Sequence, residues 1–223
     1  MSVPILYRDE RCVAVAKPSG VVAHHSSYAG VADDEVPLLQ QVRDTVNLYV
    51  YPIHRLDRAA SGIVLFALDK EAARSFTDAW PLADKRYLAI TRGHPAPHLV
   101  IDHPVPKDPD KSDERVDAVT EVWSRETFGR YALVEARPET GRLHQIRRHM
   151  KHISCPLIGD VRYGKGEHNR IFRTQHGLQR LALHCTRLSV PHPDGTTLVV
   201  ECPLPEDMAG ALISCRAAYP AVS

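Results

Sequence analysis

The fold of this chain is indicated most strongly by residues 54–68, which read HRLDRAASGIVLFAL. The first half of this stretch is polar and charged, whereas residues 63–68, IVLFAL, are apolar at every position. A short continuous apolar run behind a Ser-Gly pair is typical of a strand that is buried on both faces. We therefore predict a central strand over residues 63–68, followed by a helix that Asp69 caps and that ends near Trp80.

Strand and helix patterns continue on both sides of this strand. Further strands are predicted at residues 5–8, 12–16, 86–91, 119–123, 131–136, 181–190 and 196–201. Helices are predicted at residues 37–46, 143–153 and 205–217, and a hairpin turn at residues 192–195, HPDG. The proline-rich residues 93–115 are interpreted as surface loops, with a domain linker as the alternative. This order predicts an α+β fold with a mixed, mainly antiparallel sheet flanked by helices and loops.

Composition places the chain among globular proteins. It has 223 residues, of which 43% are hydrophobic, and no apolar run approaches the roughly 20 residues of a membrane span. The N-terminus lacks a secretory signal pattern, so we expect a soluble cytoplasmic protein. The five cysteines are scattered without a C-x-x-C pair, which favours reduced core thiols over a disulfide framework or a thiolate metal site.

The charge is balanced overall but not locally. The net charge is +1, yet residues 141–180 contain nine Lys or Arg and two acidic residues, a local charge of +7. Such a basic segment in an otherwise acidic chain is expected of a protein that contacts phosphates, and a solvated basic face is the alternative. The charge alone leaves both interpretations open.

The helix predicted at residues 143–153 separates its side chains into two groups. Leu143, Ile146, Met150 and Ile153 form one apolar stripe roughly 80° wide, which is expected to face the core. His144, Arg148 and Lys151 point away from that stripe, as groups that reach for solvent or phosphate would. Arg147 lies about 40° from its edge, so we expect a half-buried guanidinium that needs a carboxylate partner. Asp57 is a candidate for that partner.

Several residues admit both a chemical and a structural interpretation. Asp57 lies before a core strand, where a nucleophile is common, but a turn aspartate paired with Arg55 or Arg58 is the alternative. Tyr87 follows Lys85 and Arg86 and is either a strand tyrosine or a residue that faces RNA. A nucleophilic pair of Cys155 with His152 is less favoured than a buried inert thiol. The histidines lack metal-ligand spacing, so no metal is expected.

Three motifs, taken together, resemble the pseudouridine synthases of the family that modifies uridines in ribosomal and transfer RNA. Residues 54–62 match the family pattern H-R-L-D-x-x-x-S-G, and residues 85–87 match K-x-Y. Residues 141–149 match G-R-x-H-Q-x-R-x-H, and the similarity extends from Ile5 to about Pro203, including the loop at residues 17–20, KPSG, and residues 156–160, PLIGD. The resemblance implies a single catalytic domain over residues 1–223 that needs no cofactor and that binds RNA along a basic cleft.

The resemblance also implies roles for individual residues. Asp57 would be the catalytic carboxylate, Tyr87 would stack on the target uracil, and Arg147 would hold Asp57 in a salt bridge. Ile146 would pack on the uracil, and Arg55 would fill the RNA stack after the uridine flips out. The remaining residues expected to bind RNA are Arg142, His144, Arg148 and Lys151.

The resemblance points to tRNA as the substrate. The catalytic pattern begins within the first ten residues, so we expect no separate RNA-binding module before it. Residues 162–180 are most similar to the branch that modifies one uridine, position 65, in the T-arm stem of tRNA. Ribosomal RNA is the alternative substrate, and a monomer is favoured.

Two other classes of function remain alternatives. A non-catalytic RNA-binding module would keep the basic segment without needing Asp57, Tyr87 and Arg147 together. A metal-free hydrolase would use Asp57 but needs a second carboxylate or a histidine base, which no motif supplies.

Overall fold

A computed structural model describes residues 3–23, 36–108 and 113–219 of the chain. In chain order the helices and strands are β1 (Ile5–Arg8), β2 (Cys12–Lys17), α1 (Leu38–Val46), β3 (Tyr51–Pro52), β4 (Ser61–Ala67), α2 (Lys70–Ala79), β5 (Asp84–Arg92), β6 (His98–Asp102), β7 (Val105–Pro106), β8 (Arg115–Val116), β9 (Val119–Phe128), β10 (Tyr131–Pro138), α3 (Gln145–His152), α4 (Gly166–Gln175), β11 (Leu183–Pro191), β12 (Thr197–Glu201) and α5 (Glu206–Ala218). The predicted α+β class with a mixed, mainly antiparallel sheet is confirmed.

The chain divides into two compact units. The first unit comprises Met1–Lys85 and Cys185–Cys202, and the second comprises Arg86–His184 and Pro203–Ser223. Each unit is therefore built from two separate chain segments. The expectation of a single catalytic domain stays a prediction.

Strand β4 is the centre of the first unit, as its apolar sequence predicts. All seven of its residues are buried. Strand β2 pairs antiparallel along one edge, with Val15 opposite Val64 and Val13 opposite Phe66, and β11 lies along the other edge. The predicted helix cap is confirmed, since the Asp69 side chain accepts a 2.8 Å hydrogen bond from the amide of Ala72 at the start of α2.

Gly62 explains why a Ser-Gly pair precedes the apolar run. Its φ of +117° is a backbone conformation that residues with a side chain rarely adopt. A Cβ atom added there would lie 2.3 Å from the carbonyl oxygen of Cys185. Glycine at this position therefore lets the backbones of β4 and β11 approach closely.

The second unit is an antiparallel arrangement of strands with two helices packed into its core. The strand order is β5, β10, β9, β6. The core cluster includes Ile90 of β5, Leu133 of β10, Phe172 of α4, and Met208 and Leu212 of α5. Burial of these apolar side chains stabilises the unit by about 1.5–3 kcal/mol for each large side chain.

Two predictions of local structure are wrong in part. Residues 93–115 are not loop throughout, because β6 pairs with β9, placing Ile101 opposite Thr120. The prolines flank β6 without interrupting it, and an edge strand needs only one paired side. Helix α4 is missed by the sequence patterns, because only one of its three buried residues, Phe172, is a typical core residue, and the other two are His168 and Asn169.

The cysteines behave as predicted for core thiols. All five are buried and reduced. Burial raises the pKa of Cys155, and raises that of Cys202 to about 11, so neither thiol is poised to react. No helix in the described parts of the chain combines the length and apolar character needed to cross a membrane.

The substitution Gly62→Ala tests the close approach of β4 and β11. We expect a loss of stability of at least about 3 kcal/mol, because both the positive φ and the overlap with Cys185 oppose a methyl group. The measurement is the free energy of unfolding in urea. Gly195→Ala is the matched control, since Gly195 also has a positive φ, +88°, but no neighbour within 4 Å of an added Cβ atom. Equal losses in the two variants would contradict the steric argument.

Candidate active site

Asp57 lies in the loop that joins β3 to β4 in the first unit, at the mouth of the buried strand. Its side chain is half-buried. The amide of Ala60 donates to the carbonyl oxygen of Asp57 at 3.1 Å, which closes a tight turn directly before β4. Arg55, two residues earlier, has an exposed side chain. The structure therefore brings Asp57 and Arg55 together in one short loop.

The loop at residues 17–20 holds the backbone that follows Asp57. Lys17 is only 1% exposed, and its ammonium donates to the carbonyl oxygens of Pro18, Val21 and Arg58 at 2.8, 2.8 and 3.1 Å. The amide of Gly20 also donates to the Arg58 carbonyl, at 2.8 Å. The Ser19 hydroxyl donates to the Ala59 carbonyl at 2.6 Å. A buried ammonium is tolerated because three carbonyls replace its hydration, and the same bonds fix the turn beside Asp57.

Tyr87 lies on β5 in the second unit, opposite Ala136 of β10, and is 8% exposed. Its basic neighbours have partners within the protein. The ammonium of Lys85 lies 5.4 Å from the Trp80 ring, and burial lowers the Lys85 pKa. The guanidinium of Arg86 stacks over Trp123 at 4.9 Å and lies 3.3 Å from a carboxylate oxygen of Glu135. These two side chains therefore give no support to an RNA-facing position for Tyr87.

Helix α3 begins two residues later than predicted. His144 has a φ of +55°, which is outside the helical region, so the helix starts at Gln145. The Gln145 side chain accepts from the Thr140 hydroxyl and the Arg142 amide, and donates to the Val119 carbonyl and the Thr120 hydroxyl. The bonds to Val119 and Thr120 anchor the start of the helix to β9, and the other two hold the segment that leads into the helix.

The two members of the predicted apolar stripe that lie within α3 face the core as predicted, whereas Leu143 and Ile153 lie outside the helix and are half-buried. Ile146 is 6% exposed and Met150 is fully buried. His149 is also fully buried, and burial lowers its pKa, so the ring is neutral. Its Nε2–H donates to the His103 carbonyl at 2.9 Å, which leaves Nδ1 to accept from the Thr120 hydroxyl at 2.9 Å.

Arg147 forms a buried, two-pronged ion pair with Asp160. Its Nε and Nη2 atoms lie 2.8 and 3.0 Å from the two carboxylate oxygens, and the residues are 6% and 2% exposed. The backbone amides of Arg162 and Tyr163 also donate to this carboxylate. Burial alone would raise the Asp160 pKa, but the bonds from Arg147 and the amides outweigh it, so the pKa is lowered.

The need of Arg147 for a carboxylate is thus confirmed, and the carboxylate found is Asp160. The sequence pattern favours Asp57 instead, since nothing in the spacing identifies Asp160 as a partner. A salt bridge between Arg147 and Asp57 stays a prediction.

The expectation that Arg148 reaches toward solvent is wrong. Arg148 is 8% exposed, and it donates to the Tyr163 hydroxyl at 3.1 Å and to the Pro106 carbonyl at 2.7 Å. The physical reason is that strand β7 and the segment after Asp160 contact the face of α3 that the helical wheel assigns to solvent. Lys151 is exposed, as predicted, and Arg142 is exposed as well. His144 is half-buried, with its Nδ1 atom 3.1 Å from the Tyr163 hydroxyl.

Tyr163 is a residue that the sequence analysis does not single out. Four cationic groups lie within 6 Å of its ring centre, at 5.1 Å for Arg147, 5.6 Å for Arg162, 5.8 Å for Arg148 and 5.9 Å for Lys151. The electron-rich face of an aromatic ring stabilises nearby cations, so Tyr163 offsets part of the repulsion among them. The signal in the sequence is a lone tyrosine inside a strongly basic segment.

The basic segment at residues 141–180 has both structural and exposed charges. Arg147 and Arg148 are buried, and Arg180 forms a two-pronged pair with Asp207 at 2.7 and 2.9 Å. The exposed members are Arg142, Lys151, Arg162, Lys165, Arg170 and Arg173. The basic cleft stays a prediction. These six exposed side chains are the cations of the segment that are available to line it.

Among the described residues, Asp9, Cys12 and His192 form a group whose polar atoms lie within 4.8 Å of one another. The Asp9 carboxylate already accepts hydrogen bonds from the Tyr7 hydroxyl and from the amides of Arg11 and Cys12, each at 2.7 Å. These bonds explain the group as a cap of the turn between β1 and β2.

Comparison with known proteins identifies the family. Residues 11–152 match the family model described as RNA pseudouridylate synthase, and this chain therefore belongs to that family. A protein named tRNA pseudouridine synthase C from Haemophilus ducreyi is 37% identical over 213 residues, which cover 86% of this chain and 87% of the relative. The protein of the same name from Vibrio cholerae is 36% identical over 233 residues, covering 93% of each chain.

A solved structure agrees with this assignment. The human protein named RNA Pseudouridylate Synthase Domain Containing 4 superposes with a TM-score of 0.77 at 26% identity, covering 96% of this chain and 93% of the human chain. The family expected from the three motifs is confirmed.

The substitution Arg147→Ala tests the buried ion pair. We expect a loss of about 3–5 kcal/mol in the free energy of unfolding at neutral pH, because the Asp160 carboxylate is left buried without its partner. The Asp160 pKa is lowered in the folded state, so the contribution of the pair is present above the unfolded pKa of about 4 and lost as the pH falls through the folded pKa. The difference between variant and wild type should therefore shrink in acid.

Urea unfolding measured from neutral to acidic pH provides the test. Arg162→Ala is the control, since Arg162 is exposed and its removal should change stability by less than about 1 kcal/mol. The buried ion pair would be contradicted if Arg147→Ala were as stable as the wild type at neutral pH. It would also be contradicted if the difference in stability did not change with pH.

Proposed function

We propose that this protein is a tRNA pseudouridine synthase that converts uridine 65 in the T-arm stem. The observation that carries the proposal is the similarity, at 36–39% identity over most of the chain, to proteins named tRNA pseudouridine synthase C. The exact position rests on the similarity of residues 162–180 to that branch of the family.

Asp57 is the proposed catalytic carboxylate. The reaction breaks the bond between N1 of uracil and C1′ of ribose, turns the base and joins C5 to C1′. C5 loses its proton and N1 gains one, so the atoms balance. A carboxylate serves this reaction either as a nucleophile or by helping to remove the C2′ proton. The half-buried position of Asp57, and the hydrogen bonds that hold the two residues after it, support a role that needs fixed geometry.

The remaining roles concern the flipped base. Tyr87 is proposed to stack on the uracil, Ile146 to pack against it, and Arg147 to hold the carboxylate of Asp57. Arg55 is proposed to occupy the gap that the flipped uridine leaves, and its exposed side chain supports that role. The reaction is an isomerisation without change of oxidation state, and the proposal includes no cofactor.

The backbone of the RNA is proposed to bind the exposed cations of the segment 141–180. Arg142 precedes α3, Lys151 lies in its last turn, and Arg170 and Arg173 lie on α4; all four side chains are exposed. Cations with accessible head groups bind phosphates and release counterions, which gives affinity without base specificity. Arg148 and His144 are proposed to support this surface through their contacts with Tyr163.

The proposal is tested by release of tritium from RNA labelled at C5 of uracil. The purified protein is given bulk tRNA and ribosomal RNA in separate reactions, and then a tRNA transcript with cytidine in place of uridine 65. We expect release from tRNA and none from the altered transcript. Release from ribosomal RNA alone would show that ribosomal RNA, and not tRNA, is the substrate. Release from neither RNA would overturn the enzymatic proposal in favour of an RNA-binding module.

The substitution Asp57→Asn tests the catalytic carboxylate. We expect tritium release to fall below detection, because the amide is neither a nucleophile nor a base. The affinity for tRNA should stay within about threefold, since the change is nearly isosteric and lies outside the basic segment. Activity close to that of the wild type would remove Asp57 from the mechanism.

Charge reversal on α4 tests the RNA surface. The double variant Arg170→Glu, Arg173→Glu should bind tRNA more weakly and show a flatter dependence of affinity on salt, by about one unit of slope for each phosphate that is no longer neutralised. Arg74→Glu, an exposed position of α2 outside the basic segment, is the matched control. A salt slope equal to that of the wild type would show that α4 is only a solvated face.

A further inference from the structure

His54, the first residue of the stretch 54–62, completes a hydrogen bond of the β3–β4 ladder with its side chain. Strands β3 and β4 pair Tyr51 with Ala67 and Pro52 with Phe66. One step further, the amide of Ile53 donates to the Leu65 carbonyl at 3.1 Å. An antiparallel pair of this kind normally returns the bond from the Leu65 amide to the Ile53 carbonyl. Here the Leu65 amide donates to Nε2 of the His54 imidazole, at 3.2 Å.

The imidazole is held in the state that this hydrogen bond requires. It stacks on Trp80, with ring centres 4.7 Å apart and planes inclined by 22°. Burial, and then the nearby charge of Lys85, lower the His54 pKa to about 3, so the ring is neutral at physiological pH. A neutral ring that accepts at Nε2 carries its proton on Nδ1. Its acceptor capacity therefore does not change between acidic and basic conditions in the cell.

The His54 imidazole takes the place of the Ile53 carbonyl as the acceptor, and this affects the path of the backbone. The amide of Leu65 lies inside the fully buried strand β4, so it needs an acceptor. Because His54 supplies that acceptor, the chain leaves the sheet after Ile53 without leaving the amide unpaired. Asp57 follows three residues later, and the Arg58 and Ala59 carbonyls are held by Lys17 and Ser19. The Asp57 loop is thus anchored on both sides.

We propose that His54 is a positioning residue for Asp57, acting through the Leu65 amide rather than on the RNA. The inference rests on the proposed function, because it assigns to Asp57 the catalytic role. His54 sets the point at which the backbone leaves β3, and so the place from which the Asp57 carboxylate is presented.

Two variants separate the acceptor from the ring. His54→Gln keeps an acceptor for the Leu65 amide, its side-chain amide oxygen, but has no ring to stack on Trp80. His54→Phe keeps the ring but offers no acceptor to the Leu65 amide. We expect His54→Gln to retain kcat for tritium release within about threefold, and His54→Phe to lose at least about tenfold in kcat with KM for tRNA nearly unchanged. Hydrogen exchange of the Leu65 amide should be faster in the Phe variant alone.

Any other result for these two variants contradicts the inference and identifies which part of it is wrong. Full activity of His54→Phe would show that the hydrogen bond is dispensable, and an equal loss in a folded His54→Gln would show that the ring matters rather than the acceptor. A change in KM alone would assign His54 to RNA binding. If the wild-type protein releases no tritium, the proposed function fails, whereas an active wild type with an active Phe variant removes only the role of His54.

Discussion

The burial of β4 is the constraint on which the first unit depends. All of its residues are excluded from water, and it is paired along both edges, so every polar group of the strand needs a partner inside the protein. The charged residues before it must leave the sheet, and they do so in a loop that places Asp57 at the mouth of the strand. Gly62 permits this crowding, because the backbone of β11 at Cys185 leaves no room there for a Cβ atom.

Three of the four buried cations in the described part of the chain are stabilised in three different ways. Lys17 is surrounded by backbone carbonyls, Arg147 pairs with the Asp160 carboxylate, and Arg148 donates to a tyrosine hydroxyl and a carbonyl. Each arrangement ties together segments that are distant in sequence. In a buried setting the removal of such a partner costs far more than the removal of a surface ion pair. These cations therefore determine local geometry, and the exposed cations of the segment 141–180 are the ones with access to a ligand.

The sequence predicts the features that arise from local periodicity and capping. Strand β4 follows from a continuous apolar run, and α2 follows from an aspartate cap and helical spacing. The buried stripe of α3 follows from the 3.6-residue period, as does the need of Arg147 for a carboxylate. The identity of a partner elsewhere in the chain does not follow from local patterns. Asp160 lies thirteen residues from Arg147, and nothing in the spacing selects it over Asp57. The burial of Arg148 could not be predicted for the same reason. A helical wheel does not show that β7 and the segment after Asp160 cover the face of α3 that it assigns to solvent.

Much of the stretch 54–62 supports Asp57 rather than taking part in chemistry. His54 accepts a hydrogen bond from the neighbouring strand, Leu56 is buried, and the carbonyls of Arg58 and Ala59 are acceptors for the loop at residues 17–20. In the function proposed above, the Asp57 carboxylate acts on a flipped base, and such a group gains rate from a fixed position, because misplacement of about 1 Å can cost on the order of a hundredfold. A loop of irregular backbone is mobile unless its polar groups are paired. The density of these pairings around a single aspartate is therefore the physical reason that so many neighbouring residues form one motif.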